Sequence, residues 1–260
     1  MAEATHPYDR HVGRYGSPLS KSLIEIAGIK QGDRALDVGC GTGQLTAKLA
    51  AVLGGENVAA LDPSQEFVAV CRGRVPAADV RIGSAQALPF ADGEFDAVLA
   101  QLVIQLVADP PAAVREMARV ARPGAPVSAC FWDDAEMPLL RSFWDAAGEA
   151  APAALAGIEA RTQVGLSDPA LLEKWWAAAG LEGISRHQFE VSAHYESFED
   201  LWRPFDSGVG ESGRLYRSLD AGQRAATRAD AHRRLGSPEG PFELGARVQA
   251  IRGISPAAPE

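Results

Sequence analysis

Short apolar runs alternate with stretches of helical apolar spacing between Arg34 and Trp132. The runs, bounded by glycine, proline or aspartate, predict buried strands, and the spacing between them predicts amphipathic helices. The predicted strands lie at 35–38, 57–61, 79–83, 95–100 and 126–132. Because strand and helix alternate, the sequence predicts a parallel sheet with helices on both faces, joined by right-handed crossovers.

The second half of the chain has longer helical stretches and two further strand patterns. Helices are predicted at 137–149, 168–179, 197–206, 213–219 and 221–235, and alternating strands at 183–193 and 242–251. About 45 residues of mostly helical sequence separate these two strands, which is more than a connector in a compact domain requires. We therefore expect a helical cap at 196–240 over the substrate side of the sheet.

The N-terminal segment is polar but carries several aromatic and basic residues. Tyr8, His11, Arg14 and Tyr15 all precede the first predicted helix. Such a segment is either a surface arm or a lid that folds over a cofactor, and the pattern does not choose between them. The predicted divisions are an arm and helix at 1–32, a sheet domain at 33–195 and 241–253, and the cap at 196–240.

The composition excludes several classes of protein. Of the 260 residues, 47% are hydrophobic, and 25 basic against 34 acidic side chains leave a net charge of −9. An acidic chain lacks the general basic footprint of a nucleic-acid binder, which leaves only a local basic patch open. No apolar run approaches the ~20 residues that cross a membrane. The first residues show no signal-peptide pattern, so a cytoplasmic protein is expected. Three distant cysteines predict neither a disulfide framework nor a zinc site, and no metal site is predicted.

A glycine-rich turn follows the first predicted strand and precedes a helix. Gly39, Gly41 and Gly43 stand at alternate positions after an apolar run. Without a Cβ atom the backbone bends sharply and a ligand lies close against it, while the helix N-terminus offers free N–H groups. This unit predicts a cradle for a nucleotide cofactor.

Three more predicted loops follow the carboxyl ends of strands, at Asp62, 83–86 and 101–105. In an open parallel sheet the ligand crevice lies at these ends, where the strand order reverses. The four loops together therefore predict one cofactor site. Asp62 comes about twenty residues after the turn, which is the spacing expected of a carboxylate that binds ribose hydroxyls.

The glycine spacing separates the possible cofactors. A dinucleotide site requires a third glycine where this chain has Gln44, because that glycine eases the packing of helix on strand. No tyrosine has a lysine four residues later, as a short-chain dehydrogenase needs, and no P-loop sequence occurs. The pattern thus disfavours a nicotinamide cofactor.

Five segments together resemble the class I S-adenosylmethionine-dependent methyltransferases, in the small-molecule group related to ubiquinone and menaquinone C-methyltransferases. They are LDVGCGTG at 36–43, LDPS at 61–64, GSAQALPF at 83–90, FDAV at 95–98, and EMARV with RPG at 116–124. The resemblance implies an α/β fold with a doubly wound, Rossmann-like sheet of seven strands. That sheet would be mostly parallel with an antiparallel last strand, and a helical cap would be added. Ala125 replaces the second glycine that relatives have before the fifth strand.

The resemblance also implies roles for individual residues. Asp37 would hold the methionyl ammonium of the cofactor, Asp62 its ribose hydroxyls, and 84–86 would flank its adenine. Gln101 would lie under the sulfonium, and Arg14 would pair with the carboxylate. The full predicted cofactor-binding set is Arg14, Tyr15, Asp37, Gly39, Cys40, Gly41, Gln44, Asp62, Pro63, Ser84, Ala85, Gln86, Gln101 and Leu102.

Simpler structural roles stay open for the two acids, with Asp37 as a turn cap and Asp62 as a helix N-cap. The predicted substrate pocket comes from the arm, the strand ends and the tryptophan-rich elements. Its residues are Tyr8, His11, Gln105, Trp132, Trp202 and Phe205. Candidates for a general base are His11, His187, His194, His232, Asp206 and Glu211, although each also fits an ordinary surface or structural role.

The predicted function is methyl transfer from S-adenosyl-L-methionine to a small-molecule acceptor by in-line displacement, without a nucleic-acid or membrane partner. Two alternatives remain, namely a protein that binds this cofactor without catalysis and, less favoured, a NAD-dependent oxidoreductase. The sequence at 109–112 lacks the aromatic residue of nucleic-acid amino-methyltransferases, so we interpret it as a helix cap. A monomer or homodimer is expected, and the acceptor atom stays open.

Overall fold

Seven strands form one sheet in the computed structural model, which describes residues 6–159 and 168–257. The strands are β1 (Ala35–Val38), β2 (Val58–Asp62), β3 (Asp79–Ile82), β4 (Ala97–Gln101), β5 (Pro126–Trp132), β6 (Glu182–Tyr195) and β7 (Phe242–Ile254). They lie in the order β3-β2-β1-β4-β5-β7-β6. All seven predicted strands are confirmed, with ends that differ by at most three residues.

Parallel pairing dominates this sheet. Strand β1 pairs in parallel with β2 and β4, β2 pairs with β3, and β4 pairs with β5, while β7 runs antiparallel to β5. The predicted doubly wound sheet with an antiparallel last strand is therefore confirmed. Its strand order reverses between β1 and β4, and a ligand crevice lies beside the carboxyl ends of strands at such a point.

The burial of the strands explains their sequence patterns. Every residue of β1 and β2 is buried, and a strand that is covered on both faces reads as a continuous apolar run. The second half of β6 instead alternates, with Val191, Ala193 and Tyr195 buried between exposed residues. One face of this strand is therefore solvated, as its alternating sequence indicates.

Ten α-helices accompany the sheet in the described residues. They are α1 (Gly16–Ala27), α2 (Gln44–Leu53), α3 (Gln65–Arg74), α4 (Pro110–Val120), α5 (Pro138–Ala150), α6 (Pro152–Glu159), α7 (Pro169–Ala178), α8 (Phe198–Asp206), α9 (Gly210–Ser218) and α10 (Ala221–Arg234). Short 3₁₀ helices occupy Pro7–Arg10, Val12–Tyr15, Gly55–Asn57, Ile104–Leu106 and Asp134–Glu136. Helix α6 was not predicted, because its short sequence is apolar nearly throughout and has no one-sided spacing. No helix in the described part of the chain combines the length and apolar character needed to cross a membrane.

Local side-chain caps fix where two of these helices begin. At α4, Asp109 Oδ1 accepts a hydrogen bond from the Ala112 N–H at 3.0 Å, and prolines occupy the first turn. This confirms the interpretation of 109–112 as a helix cap. At α10, Asp220 and Gln223 form a reciprocal capping box, which satisfies two backbone donors at the start of the helix.

The largest apolar cluster packs between the sheet and its helices. Leu36, Phe95, Met117 and Trp176 are among its fully buried members. The indole Nε1 of Trp176 donates to the Val127 carbonyl at 3.1 Å, so this large side chain is buried without an unpaired donor. The core therefore holds β5 and α7 together by apolar packing and one specific hydrogen bond.

The described chain divides into two compact units. The helical unit comprises 6–15, 133–159 and 190–247, and the sheet unit comprises 16–132, 168–189 and 248–257. Helix α1 belongs to the sheet unit, whereas the sequence grouped it with the arm. The helical unit also includes α5, α6 and the outer ends of β6 and β7, so it is larger than the expected cap. The domain boundaries drawn from the sequence stay a prediction.

Candidate functional site

The glycine turn of the sheet unit connects β1 to α2 and is anchored to β2. The N–H groups of Gly39 and Cys40 both donate to the Leu61 carbonyl, at 2.8 and 2.9 Å. Gly39, Gly41 and Gly43 all have positive φ angles, of 74°, 52° and 85°, which residues with a Cβ atom rarely adopt. This turn therefore depends on glycine. Its backbone is open to close approach by a ligand at Gly41, where no atom lies within 4 Å of the position that a Cβ would take.

Asp37 is a buried acid at the end of β1 with one oxygen unused. Thr46 Oγ1 of α2 donates to its Oδ2 at 2.6 Å, while Oδ1 has no hydrogen-bond partner among the described residues. The side chain is 1% exposed, and burial raises its pKa to about 7. Asp37 interacts with the side chain and the backbone N–H of Thr46, which belongs to α2. No N–H of the turn bonds Asp37 in the described residues, so Asp37 does not act as the turn cap that the sequence left open.

Asp62 ends β2 and holds two segments of backbone. Its Oδ2 accepts from the Gly41 N–H at 3.0 Å, and its Oδ1 accepts from the Ser64 N–H at 2.9 Å. Burial raises the pKa of this carboxyl, and the two N–H groups oppose that rise. The N-cap of α3 is Ser64, whose Oγ accepts from the Phe67 N–H, so the interpretation of Asp62 as a helix N-cap is wrong. One face of Asp62 holds the glycine turn, and each oxygen keeps a further lone pair.

The loop after β3 supplies the predicted adenine-flanking residues. Ser84 Oγ accepts from the Gln86 N–H at 3.2 Å, and the backbone bridges Ser84 to Ala87. Ala85 is buried, whereas Ser84 and the neighbouring Pro63 are exposed. These residues lie after β3 and β2, on the same edge of the sheet as the glycine turn. Their contact with adenine stays a prediction.

The end of β4 carries strained backbone. Leu102 has a φ of 61° although it is not glycine, and its N–H donates to the Cys130 carbonyl at 2.9 Å. Non-glycine residues in this conformation concentrate at functional sites, where surrounding structure holds them. Next to it, the Gln101 side-chain amide lies 2.8 Å from Ser20 Oγ of α1. Both predicted residues are thus fixed at the carboxyl end of a central strand.

The N-terminal arm belongs to the helical unit and ties Arg14 down firmly. Arg14 donates from Nη2 to Asp200 at 2.6 Å, from Nη1 to the His194 carbonyl and from Nε to the Arg10 carbonyl. Its guanidinium also lies 4.7 Å from the centre of the Tyr195 ring. The predicted pairing of Arg14 with the cofactor carboxylate stays a prediction, as does the role of the buried Tyr15.

Three predicted pocket residues meet in the helical unit. The His11 and Phe205 ring centres are 4.8 Å apart in an edge contact, and the Trp202 and Phe205 ring centres are 4.7 Å apart. Phe143 of α5, which the sequence did not indicate, stacks on Phe205 at 4.6 Å. Burial lowers the pKa of His11 to about 4. The structure therefore brings the arm and α8 together in one aromatic cluster.

The other predicted pocket residues have separate positions. Tyr8 lies in the first 3₁₀ helix of the helical unit, whereas Gln105 and Trp132 lie in the sheet unit. Of the remaining general-base candidates, His194 is exposed and pairs with Glu196 and Glu243. These contacts do not test the predicted roles, which stay predictions.

Sequence reasoning missed three residues that support the cradle. Thr46 bonds Asp37, Ser20 meets Gln101, and Cys71 lies beneath Gly43, where a Cβ atom would come within 2.7 Å of its sulfur. The role of Thr46 could have been predicted, because it interrupts the apolar face of α2 next to Leu45 and Leu49. A buried hydroxyl in such a stripe requires a polar partner.

The fold and this cradle define a class of protein. A buried carboxyl with a spare oxygen and a second carboxyl beside an open glycine turn suit a cofactor that bears both an amine and a ribose. Residues 36–128 match the family model of a methyltransferase domain. For residues 36–128 this match confirms the predicted similarity to S-adenosylmethionine-dependent methyltransferases. The narrower link to ubiquinone and menaquinone enzymes stays a prediction.

Two curated relatives match part of this chain, and one of them is named as a methyltransferase. An uncharacterised protein of Mycobacterium tuberculosis is 36% identical over 120 residues, which cover 45% of this chain and 43% of the relative. Malonyl-[acyl-carrier protein] O-methyltransferase of Erwinia pyrifoliae is 32% identical over 152 residues, which cover 58% of this chain and 57% of the relative. The chain thus spans about half the length of these curated relatives.

A solved structure shares the fold over most of this chain. Phosphoethanolamine N-methyltransferase 2 of Haemonchus contortus, in complex with S-adenosyl-L-methionine, aligns with a TM-score of 0.59 at 15% identity. The alignment covers 92% of this chain and 52% of that one. The similarity confirms the Rossmann-like fold, while the acceptor has to be argued from the residues of this chain.

Proposed function

We propose that this protein transfers a methyl group from S-adenosyl-L-methionine to a small-molecule acceptor. The observation that carries the proposal is Asp37, a fully buried carboxyl whose Oδ1 has no hydrogen-bond partner among the described residues. A buried carboxyl without a full set of partners is costly. An ammonium group beside it would restore the missing hydrogen bond and favour the charged carboxylate.

The other residues of the cradle fit the rest of the cofactor. Asp62 keeps a free lone pair on each oxygen and can accept hydrogen bonds from two ribose hydroxyls. Gly41 offers the methionyl part an open backbone, whereas the space beside Gly39 is filled by the Val103 side chain. When bound, S-adenosylmethionine supplies a methyl group on a sulfonium, which is a strong electrophile. The residues of the chain then need to orient the acceptor and exclude water.

The charge of the chain supports a small-molecule acceptor, and the relatives support the reaction class. The net charge of −9 disfavours a nucleic-acid acceptor. Among relatives, one is named for methylation of an acyl-carrier-protein conjugate and one solved structure for methylation of phosphoethanolamine. These acceptors differ in size and charge, so they support the reaction class without choosing the acceptor of this chain.

Calorimetric titration with S-adenosylhomocysteine tests cofactor binding. The substitution Asp37→Asn keeps the shape of the side chain but removes the carboxylate. Asp79→Asn is the control, because Asp79 is an exposed residue of β3 that pairs with Arg81. We expect binding by the wild type and by D79N, and a loss of at least tenfold in D37N. Equal binding by D37N would contradict the proposal. Tighter binding of NAD than of S-adenosylhomocysteine would favour an oxidoreductase.

Methyl transfer itself needs a separate measurement. The protein is incubated with cofactor labelled on the methyl group and with a fractionated metabolite extract. We expect label in a low-molecular-mass product, and D37N measures the background. If the wild type binds the cofactor but labels no fraction, the alternative of a binding protein without catalysis replaces the proposal.

A further inference from the structure

The two oxygens of the buried Asp37 carboxyl have opposite environments. Thr46 Oγ1 donates to Oδ2 at 2.6 Å, and the backbone N–H of Thr46 also bonds this carboxyl. Oδ1 has no hydrogen-bond partner in the described part of the chain, so both bonds are assigned to Oδ2. One residue of α2 therefore supplies two donors to one oxygen, and the other oxygen is left for a ligand.

The position of Thr46 in α2 explains the backbone bond. Helix α2 begins at Gln44, so Thr46 is its third residue, and the N-cap Gly43 has no side chain to cap the helix. The first N–H groups of a helix have no partner within the helix, and the Thr46 N–H is therefore available to Asp37. This N–H and the positive end of the helix dipole both favour the charged carboxylate.

Cys71 of α3 sets the direction of the hydroxyl bond. Its thiol donates to Thr46 Oγ1 at 3.5 Å, and its side chain is fully buried. A threonine hydroxyl has one hydrogen and two lone pairs. Because the thiol occupies a lone pair, the single hydroxyl hydrogen is given to Asp37. The bonds thus run from thiol to hydroxyl to carboxyl, and Oδ2 is the final acceptor.

This direction determines where the proton of neutral Asp37 lies. A proton on Oδ2 would meet the two hydrogens that Thr46 already donates to it, so the proton lies on Oδ1. Oδ1 is then a donor when Asp37 is neutral and an acceptor when Asp37 is ionised. Only the oxygen without a partner in the described residues changes its hydrogen-bonding character with pH.

We propose that Thr46, oriented by Cys71, is a positioning residue that confines the proton of Asp37 to Oδ1, the atom that binds the ammonium group of the cofactor. This assignment rests on the function proposed above. Proton and ammonium then compete for one atom. The ionised site selects a ligand with an amine, whereas the neutral site selects a ligand with a hydrogen-bond acceptor at the same position.

Other ionisable groups also surround this carboxyl. Burial is the largest cause of the raised pKa of Asp37, the bonds from Thr46 oppose it, and the charge of Asp62 on β2 adds to it. The thiols whose pKa is raised in part by the charge of Asp37 are those of Cys40, Cys71 and Cys130. Removal of the Thr46 hydroxyl leaves all these groups in place, so its effect on the pKa can be measured separately.

Carbon nuclear magnetic resonance of aspartate-labelled protein measures the pKa of Asp37 without a ligand, and D37N assigns the signal. Thr46→Val keeps the branched shape and the N–H but loses the hydroxyl, so it should raise the pKa of Asp37 by about one unit. Thr46→Ser restores the hydroxyl and should restore the wild-type pKa. Thr227→Val is the matched control, because Thr227 is equally buried but donates to the Gln223 carbonyl within α10.

Calorimetric titration with S-adenosylhomocysteine distinguishes positioning from a structural defect. T46V should bind about tenfold more weakly than the wild type at about pH 6 and nearly equally at about pH 9, where Asp37 is ionised in both proteins. T46S and T227V should bind like the wild type at both pH values. A loss in T46V by the same factor at both pH values would overturn the positioning role.

An analogue of S-adenosylhomocysteine with a 2-oxo group in place of the amine tests which oxygen holds the proton. Its carbonyl only accepts hydrogen bonds, so it should bind the neutral form of Asp37. Its affinity for the wild type should fall about tenfold between about pH 6 and pH 8, while that of S-adenosylhomocysteine rises. An affinity of the 2-oxo analogue that is constant or rises with pH would show that Oδ1 does not carry the proton.

The outcomes separate this proposal from the proposed function. If T46V has the wild-type pKa at Asp37 while S-adenosylhomocysteine still binds, the role of Thr46 is wrong and the proposed methyl transfer stands. If the wild type does not bind S-adenosylhomocysteine at any pH, the proposed function fails first. Should T46V not fold, Cys71→Ala replaces it. Loss of the thiol donor should raise the pKa of Asp37 by less than T46V would, Cys71→Ser should restore it, and an unchanged pKa in C71A would contradict the orienting role of Cys71.

Discussion

At the scale of single residues, Asp37 and Asp62 have different environments in the cradle. Asp37 is buried with one oxygen unpaired within the described residues, and its pKa is raised to about 7. Asp62 already bonds two backbone N–H groups and fixes the turn. We therefore expect the first acid to change its protonation when a ligand binds, whereas the second already holds the turn in a fixed geometry.

Cofactor binding should release a proton from Asp37. At pH 6 a carboxyl with a pKa of about 7 is mostly protonated, and an ammonium beside it favours the carboxylate. We expect S-adenosylhomocysteine to displace close to one proton per molecule at pH 6 and almost none at pH 8. Calorimetry in buffers of different ionisation enthalpy measures this number. D37N should abolish the difference between the buffers, and a constant proton release in D37N would show that another group titrates.

Asp62→Ala should weaken both the turn and the binding of the cofactor. It removes the acceptor for the Gly41 and Ser64 N–H groups and the partner proposed for the ribose hydroxyls. Hydrogen bonds to charged groups contribute about 1.5–3 kcal/mol, so the Kd for S-adenosylhomocysteine should rise by roughly 10- to 150-fold. Calorimetry gives the affinity and urea unfolding the stability. Asp79→Ala is the matched control, and a D62A protein with wild-type affinity would contradict the role.

At the scale of elements, the turn between β1 and α2 is fitted against α3. Gly43 has a φ of 85°, and a Cβ atom there would lie 2.7 Å from Cys71 Sγ and 3.1 Å from Cys71 Cα. Gly28, after α1, has a φ of 72°, but no atom lies within 4 Å of the position that a Cβ would take. The two glycines thus share the backbone requirement and differ only in the space around them.

Substitution by alanine separates these two effects. Gly28→Ala should cost about 1–2 kcal/mol from left-handed backbone strain alone, whereas Gly43→Ala should cost about 2–5 kcal/mol because overpacking adds to that strain. Cys71→Ala in the G43A background should recover part of the loss, since the sulfur is removed but the Cys71 backbone stays. Urea unfolding of the wild type, G43A, C71A and the double variant forms the double-mutant cycle. Equal losses of unfolding free energy in G28A and G43A would show that α3 moves away from the added Cβ atom without measurable cost.

The limits of prediction also appear at this scale. Strands β1 and β2 could be predicted because they are buried at every position and therefore apolar throughout. The cap of α4 could be predicted because its donor is only three residues away. The partner of Arg14 could not be predicted from the sequence, because Asp200 lies 186 residues further along the chain. The same holds for the stacking of Phe143 on Phe205. Local patterns specify elements and caps, whereas pairings between distant elements depend on tertiary packing.

At the scale of the whole molecule, two titrating groups, one in each unit, change the unfolding free energy in opposite directions with pH. Folding lowers the pKa of His11 in the helical unit from 6.5 to about 4, and it raises that of Asp37 in the sheet unit from 3.8 to about 7. The contribution of His11 is complete above pH 6.5 and is lost as the pH falls toward 4. The contribution of Asp37 to the unfolding free energy is complete below about pH 4 and is lost as the pH rises through 7.

The unfolding free energies of two variants should therefore diverge with pH. At about 1.36 kcal/mol per pKa unit, His11 accounts for roughly 3 kcal/mol and Asp37 for roughly 4 kcal/mol over their full ranges. Relative to the wild type, H11F should gain stability as the pH is lowered from about 7 to 4, and D37N should gain it as the pH is raised. Urea unfolding at several pH values checks both slopes. A pH-independent difference for either variant would rule out its titration.

The position of Asp37 has a consequence for product inhibition. In the proposed reaction, methyl transfer removes the positive charge on sulfur but leaves the ammonium unchanged, so we expect Asp37 to bind spent and fresh cofactor equally well. Acidification should weaken both affinities by the same factor and leave their ratio constant. Discrimination between them must then come from residues near the sulfur, and the strained end of β4 at Leu102 is where we expect it.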